Sequence, residues 1–297
     1  MEKIKVIYIG PTGRSGSTLL DLLLNNHPAI QSVGELMFLD KWLDKDLLCS
    51  CKKPISKCGF WCKILNSLPE GNKFRLNYRD PSNKFVRILN NLTYYDFVSK
   101  DILKNVQKNY YLLLSAVKKH TNSEFIVDSS KMLSRLKIYA KSDLFDVYFL
   151  HLIRDPVAVM QSCSVPRIKH SFGANHFTPA VNPVRTALRW TFSNISAELF
   201  ARKQIHYRKV FYEELVSSPE KVLLEIYKWI GVESHGTVLT YPITENIHNI
   251  SGSRWRFQKD VRIKFDKNYR KKIPFSMKLS FLFIGGFLSF KYRYPLL

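Results

Sequence analysis

The loop Gly10-Pro-Thr-Gly-Arg-Ser-Gly-Ser-Thr18 concentrates the residue types that hold a phosphate. Gly13 and Gly16 let main-chain N–H groups approach an anion closely, Ser15, Ser17 and Thr18 add hydroxyl donors, and Arg14 adds a planar cation. An apolar run (Ile4, Val6, Ile7, Ile9) precedes the loop, and a leucine-rich segment, residues 19–24, follows it. The loop therefore joins a buried strand to a helix, whose N-terminus presents positive partial charge to an anion. A Walker A loop needs Gly-x4-Gly-Lys-[Ser/Thr]. Here Gly16 runs directly into Ser17, and the cation, Arg14, lies two residues before that glycine. The pattern is phosphate binding without the lysine of an ordinary ATPase.

A second constellation is Leu152-Ile-Arg-Asp-Pro156, with Ser162 eight residues after Arg154. This spacing puts Arg154 at a strand end and Ser162 about two turns into the next helix, facing the same crevice. Polar groups also close two other apolar runs, as Gly34-Glu35 and as Asp128-Ser-Ser-Lys131.

The elements that must position these groups follow from periodicity. Apolar runs predict strands at 4–9, 30–33, 125–127, 147–153 and 210–212. Helical patterns cover 17–26, 133–142, 156–162, 184–204 and 219–230, the last stopped at Gly231. His27-Pro28 ends the first helix. Strands alternating with helices predict an α/β fold, a P-loop-NTPase-like central parallel sheet flanked by helices. Residues 36–120 read as a mostly helical insert and 245–297 as a C-terminal loop and tail, all within one domain spanning 1–297. In such sheets ligands bind at the carboxyl ends of the strands, which is where the polar clusters fall.

The net charge of +22 predicts affinity for anions such as nucleotides, polyanionic glycans, nucleic acid or membrane surfaces. The chain has no recognisable nucleic-acid-binding module, so no nucleic acid partner is expected. The first strand starts by residue 4 with no signal peptide before it, and no apolar run reaches the roughly 18–20 residues of a membrane span. A cytoplasmic location is expected. The longest apolar run, Leu279–Phe290, reads as a core helix; its basic flanks leave room for peripheral membrane contact. Cys49, Cys51, Cys58 and Cys62 cluster, but C-x-C-x6-C-x3-C is not a standard zinc knuckle. Buried thiols or a local disulfide fit this spacing better, and no metal is expected.

Gly13-Arg-Ser-Gly-Ser-Thr-Leu-Leu20 resembles the 5′-phosphosulfate loop of sulfotransferases that use 3′-phosphoadenosine 5′-phosphosulfate (PAPS). Leu152–Pro156 with Ser162 resembles the family's 3′-phosphate motif, and Val127–Lys131 and Phe211–Leu215 occupy the expected order. The resemblance is nearest to bacterial sulfotransferase-domain proteins, with tyrosylprotein and carbohydrate sulfotransferases further off. It implies PAPS as donor and PAP as product. Gly13, Arg14, Ser15, Gly16, Ser17 and Thr18 would hold the 5′-phosphosulfate, and Arg154 and Ser162 the 3′-phosphate. Glu35 matches a catalytic glutamate of several branches; His27 is a rival base, although its place beside Pro28 reads as a structural cap. Lys131 matches a lysine near the bridging oxygen. Arg256, Phe257 and Lys259 fall in the loop that closes over the donor, with Trp255 or Phe257 covering the adenine and Tyr212 a further nucleotide contact.

The implied activity is in-line sulfuryl transfer to a hydroxyl or amine of a glycan, lipid or other metabolite. The lysines and arginines of the insert (Lys52, Lys53, Lys57, Lys63, Arg75, Arg79) point to an anionic acceptor. Two other readings stand beside this one: a P-loop kinase or NTPase with a degenerate loop and Asp128 as its metal-binding acid, and a non-catalytic binder of polyanions or nucleic acid.

Overall fold

The structure, a computed structural model, describes residues 2–69, 76, 99–169, 176–203, 206–234, 236–243, 247–258, 263 and 268–296. Its centre is a parallel sheet of β1 (Ile4–Pro11), β2 (Ile30–Gly34), β3 (Phe125–Asp128), β4 (Phe145–Ile153) and β7 (His206–Phe211), in the order β2-β3-β1-β4-β7. The predicted α/β sheet is therefore present. Alternate residues of each strand feed opposite faces. Val6, Tyr8, Ile126, Val147 and Phe149 join one core, while Ile7, Ile9, Val127, Leu150 and Leu152 join the other.

Register aligns the functional ends. Tyr8 pairs with Asp128, Gly34 with Asp128, Pro11 with Leu152, and Ile153 with Phe211. The residues just beyond these pairs all emerge at one edge of the sheet. Connections run first to one side of β1 and then to the other, which opens a crevice at that edge.

Helices α1 (Ser17–Leu24), α5 (Leu133–Ala140), α6 (Pro156–Ser164), α7 (Pro183–Ala201) and α9 (Pro219–Ile230) cover the sheet where the apolar periodicity places them. Pro156 and Pro183 open their helices where the missing N–H costs nothing, and Gly231 closes α9 in the left-handed conformation. Tyr212 does not end a strand as the periodicity suggests. It begins the short helix α8 (Tyr212–Ser217), because β7 stops with its last pairing at Phe211. A small antiparallel pair, β5 (Arg167–Lys169) with β6 (His176–Thr178), has no counterpart in the sequence reading.

The described part of the insert contains α2 (Leu39–Asp44), α3 (Gly59–Asn66) and α4 (Lys100–Thr121). The C-terminal helix α10 (Phe275–Lys291) packs Phe281 edge-on against Trp190 of α7 at 5.4 Å. Gly285 permits the approach, since a Cβ there would come within 2.5 Å of Thr191 and of the Phe281 ring. Core packing accounts for only one side of α10: Phe283 is 82% and Phe290 74% exposed. Among the described residues no helix is long and apolar enough to cross a membrane.

Candidate active site

The loop after β1 is held in a tight, strained path. Arg14 and Gly16 both have positive φ, 70° and 93°, a region that favours glycine. Gly16 is also required by packing, because a Cβ would lie 2.3 Å from the Tyr212 ring. Thr12 and Ser15 share a 2.6 Å hydrogen bond in the interior and brace the loop from below. Among the described residues no side chain caps α1; the N–H groups of Leu19 and Leu20 both donate to the Gly16 carbonyl, and those of Ser17 and Thr18 are the candidate anion donors of this helix end. Nothing lies within 4 Å of where a Gly13 side chain would start. The loop thus offers an open approach to main-chain donors.

Arg154 extends from the end of β4 over this loop. Its Nη1 donates to the Arg14 carbonyl at 3.0 Å, and its guanidinium lies 4.3 Å from the centre of the Tyr212 ring. The Arg14 Nε donates to Ser162 Oγ at 3.1 Å. Arg14, Arg154, Ser162 and Tyr212 are therefore one cluster, although Arg14 and Ser162 are 148 residues apart in sequence. The Nε of Arg154 is buried and has no hydrogen-bond partner among the described residues, a costly arrangement unless an acceptor binds there. Asp155 does not neutralise Arg154. It caps α6 through Val157 N–H and pairs with Arg270 at 2.7 Å.

Glu35 and Lys131 form an ion pair across the ends of β2 and β3, both side chains largely buried. Lys131 reaches it from a left-handed backbone, φ 70°. Ser251 donates to the other Glu35 oxygen at 3.2 Å, and Glu35 N–H donates to the Ile250 carbonyl at 2.7 Å. Ser253 N–H donates to Thr18 Oγ1 at 3.2 Å, so the same C-terminal segment touches both the carboxylate and the phosphate loop.

Other expected residues have different employment. Arg256 is buried, donates to the carbonyls of Asn249 at 2.7 Å and Leu48 at 3.1 Å, and its pKa is lowered to about 10 by burial. In this structure it is a strut between the insert and the C-terminal segment. Lys259 lies outside the described residues, as do Arg75 and Arg79 of the insert. His27 is buried against Tyr227, with Nε2 on the Glu233 carbonyl at 2.5 Å and Nδ1 accepting from Ala29 N–H, which is the structural role expected of it. All five cysteines are free, so none of them forms a disulfide.

Asp21 escaped the sequence reading. It is buried in α1, accepts from Ser32, from Ser129 at 2.8 Å and from Asn249 at 3.2 Å, and burial pushes its pKa up to about 7. An acidic residue among five leucines was the available signal. Asp128 is similarly engaged. Its oxygens take hydrogen bonds from Ser130 and Tyr139, and burial raises its pKa.

No protein-family model and no curated protein matches the sequence. Solved structures do. The sulfotransferase domain from the curacin biosynthetic pathway matches with TM-score 0.54 at 19% identity, covering 100% of both chains. The sulfotransferase domain of the Synechococcus PCC 7002 olefin synthase gives 0.48 at 20%, over 99% of this chain and 95% of that one. A sulfotransferase from Alicyclobacillus acidocaldarius gives 0.39 at 13%, over 99% and 98%. At 19% identity the likeness to the curacin-pathway domain is one of architecture: the chain is built on that sulfotransferase-domain fold, a P-loop-type parallel sheet with helices on both faces.

Proposed function

We propose that the chain transfers a sulfuryl group from PAPS to a hydroxyl or amine of an acceptor. One observation carries this reading. Two arginines from separate motifs, Arg14 and Arg154, meet with Ser162 above an uncapped helix, and the buried Arg154 Nε lacks an acceptor. A donor with phosphates at both its 5′ and 3′ positions would satisfy both cations, and the arginine fork suits that geometry.

When bound, PAPS supplies the activated sulfur and a stable leaving group. The acceptor oxygen forms a bond to sulfur as the bond from sulfur to the 5′-phosphate oxygen breaks, and the acceptor's proton passes to Glu35. Such transfers need positioning and charge stabilisation more than covalent catalysis. Arg14 and the loop N–H groups meet charge on the transferring group, and Lys131 meets charge developing on the departing oxygen. The Glu35–Lys131 pair is then a resting arrangement. The pairing occupies the carboxylate oxygen, so Lys131 turns toward the donor as Glu35 engages the acceptor.

The kinase alternative loses its acid: the oxygens of Asp128 serve Ser130 and Tyr139. Thermal shift against PAP, ADP and ATP tests the proposal. Selective stabilisation by PAP is expected. Equal response to ADP, or none to PAP, would remove it.

A further inference from the structure

A second cluster with its own chemistry lies behind the Glu35 loop. The sulfurs of Cys49, Cys51 and Cys58 and a ring nitrogen of His248 all lie within 4.8 Å of one another. Cys51 and Cys58 sulfurs are 3.7 Å apart, and His248 Nδ1 is 3.3 Å from Cys58 and 3.8 Å from Cys49. A tetrahedral zinc with bonds of about 2.3 Å to sulfur and about 2.0 Å to nitrogen sets edges of about 3.8 Å between sulfurs and about 3.5 Å between sulfur and nitrogen. The Cys51–Cys58, Cys58–His248 and Cys49–His248 separations lie close to those edges, and the other pairs of ligand atoms stay within 4.8 Å.

We propose that Cys49, Cys51, Cys58 and His248 bind one zinc ion, in a closed structural site. The fourth ligand is not Cys62, whose thiol turns away to the Ser56 carbonyl at 3.1 Å. It comes instead from 190 residues beyond Cys58, so local cysteine spacing conceals the site.

The surroundings are those of a thiolate site. Cys49 and Cys58 are buried, and Cys58 stands at the N-cap of α3. The partial positive charge of that helix end favours negative sulfur at Cys58. Lys52 takes a left-handed backbone, φ 66°, which closes the knuckle between the first two ligands and Lys53. The His248 ring is stacked on Phe60 at 4.7 Å with planes 4° apart, and Trp61 Nε1 holds the His248 carbonyl at 2.7 Å. The imidazole is thus oriented before any ion arrives. Three sulfurs and one nitrogen, half of them deeply buried, favour zinc over a hard cation and leave no coordination position for a substrate.

The ion would clasp the Cys49–Cys58 knuckle to the segment Ile247–Ser251, which hydrogen-bonds the Val33 carbonyl and Glu35 from behind. None of this depends on the sulfuryl-transfer reading.

The test is metal analysis of the full chain, purified without chelator. About one zinc per chain is expected after desalting, unchanged in Cys62→Ser and lost in His248→Ala and Cys58→Ser. Replacement by cobalt on the unaltered chain covers the case in which those variants fail to fold. The intense visible bands of tetrahedral cobalt, with thiolate charge transfer in the near ultraviolet, are expected. Absence of metal after incubation with excess zinc, a six-coordinate cobalt spectrum, or zinc lost in Cys62→Ser to the same extent as in His248→Ala would each overturn the proposal.

Discussion

Arg154 donates from Nη1 to the main-chain carbonyl of Arg14 at 3.0 Å, so the cation of one motif is anchored on the loop of the other. The two motifs are thus mechanically one unit, and the buried Nε of Arg154 has no hydrogen-bond partner among the described residues. Arg154→Ala should weaken PAP binding about 10- to 100-fold, the worth of one or two hydrogen bonds to a charged group. Adenosine 5′-phosphosulfate, which lacks the 3′-phosphate, should lose much less. Calorimetric titration of both nucleotides decides it, and equal losses would remove the 3′-phosphate role of Arg154.

On the proposed mechanism, the Glu35–Lys131 ion pair offers variants that separate binding from chemistry. Glu35→Gln keeps the size and the contact to Ser251 but removes the base. Turnover should fall about 100-fold or more, while PAP affinity stays within about twofold. Lys131→Ala should also slow turnover, and it frees the Glu35 carboxylate. Single-turnover measurements on the saturated enzyme check both. An intact rate from bound Glu35→Gln would show that the proton goes elsewhere.

Gly16 tests the loop. Alanine there meets the Tyr212 ring and must adopt φ 93° as well. Gly16→Ala should lower stability by about 1–3 kcal/mol, measured by denaturant melts, and reduce PAP affinity. Adding Tyr212→Ala removes the clash but not the backbone strain, so the double variant should recover only part of the lost stability. Full recovery would assign the whole effect to the ring.

Most of the sheet was legible because β1, β3 and β4 bury both faces and leave a mostly apolar signal, as in Ile4–Ile9 and Val147–Ile153, whereas the largely half-exposed edge strand β7 was read only from residue 210. The meeting of the loop after β1 with Arg154 was legible for a related reason: a strand end followed by a helix start limits where their side chains can go. Lys131 was harder. Its contact with Glu35 depends on a left-handed turn that no residue type announces, across 96 positions. Arg256 misled, since a basic segment reads as solvent- or ligand-facing while its guanidinium is buried on two carbonyls. His248 carried no local pattern at all, because its partners lie in the insert.

Asp21 ties α1 to β2, β3 and Asn249 from a fully buried position. Burial raises its pKa from 3.8 to about 7, despite the hydrogen bonds from Ser32 and Ser129 that pull the other way. The native state therefore keeps this proton over a range in which the unfolded chain has released it. Stability from this group is fully present below about pH 4 and declines as pH rises, by at most about 1.4 kcal/mol per pH unit, until the native carboxyl also ionises near pH 7. Asp21→Asn cannot ionise and should flatten that part of the pH–stability curve. Urea melts of both proteins between pH 5 and pH 8, conditions chosen to bracket the native pKa, measure the difference. An unchanged slope in Asp21→Asn would mean that the carboxyl is already ionised at pH 5, and that the Ser32–Ser129–Asn249 network outweighs its desolvation.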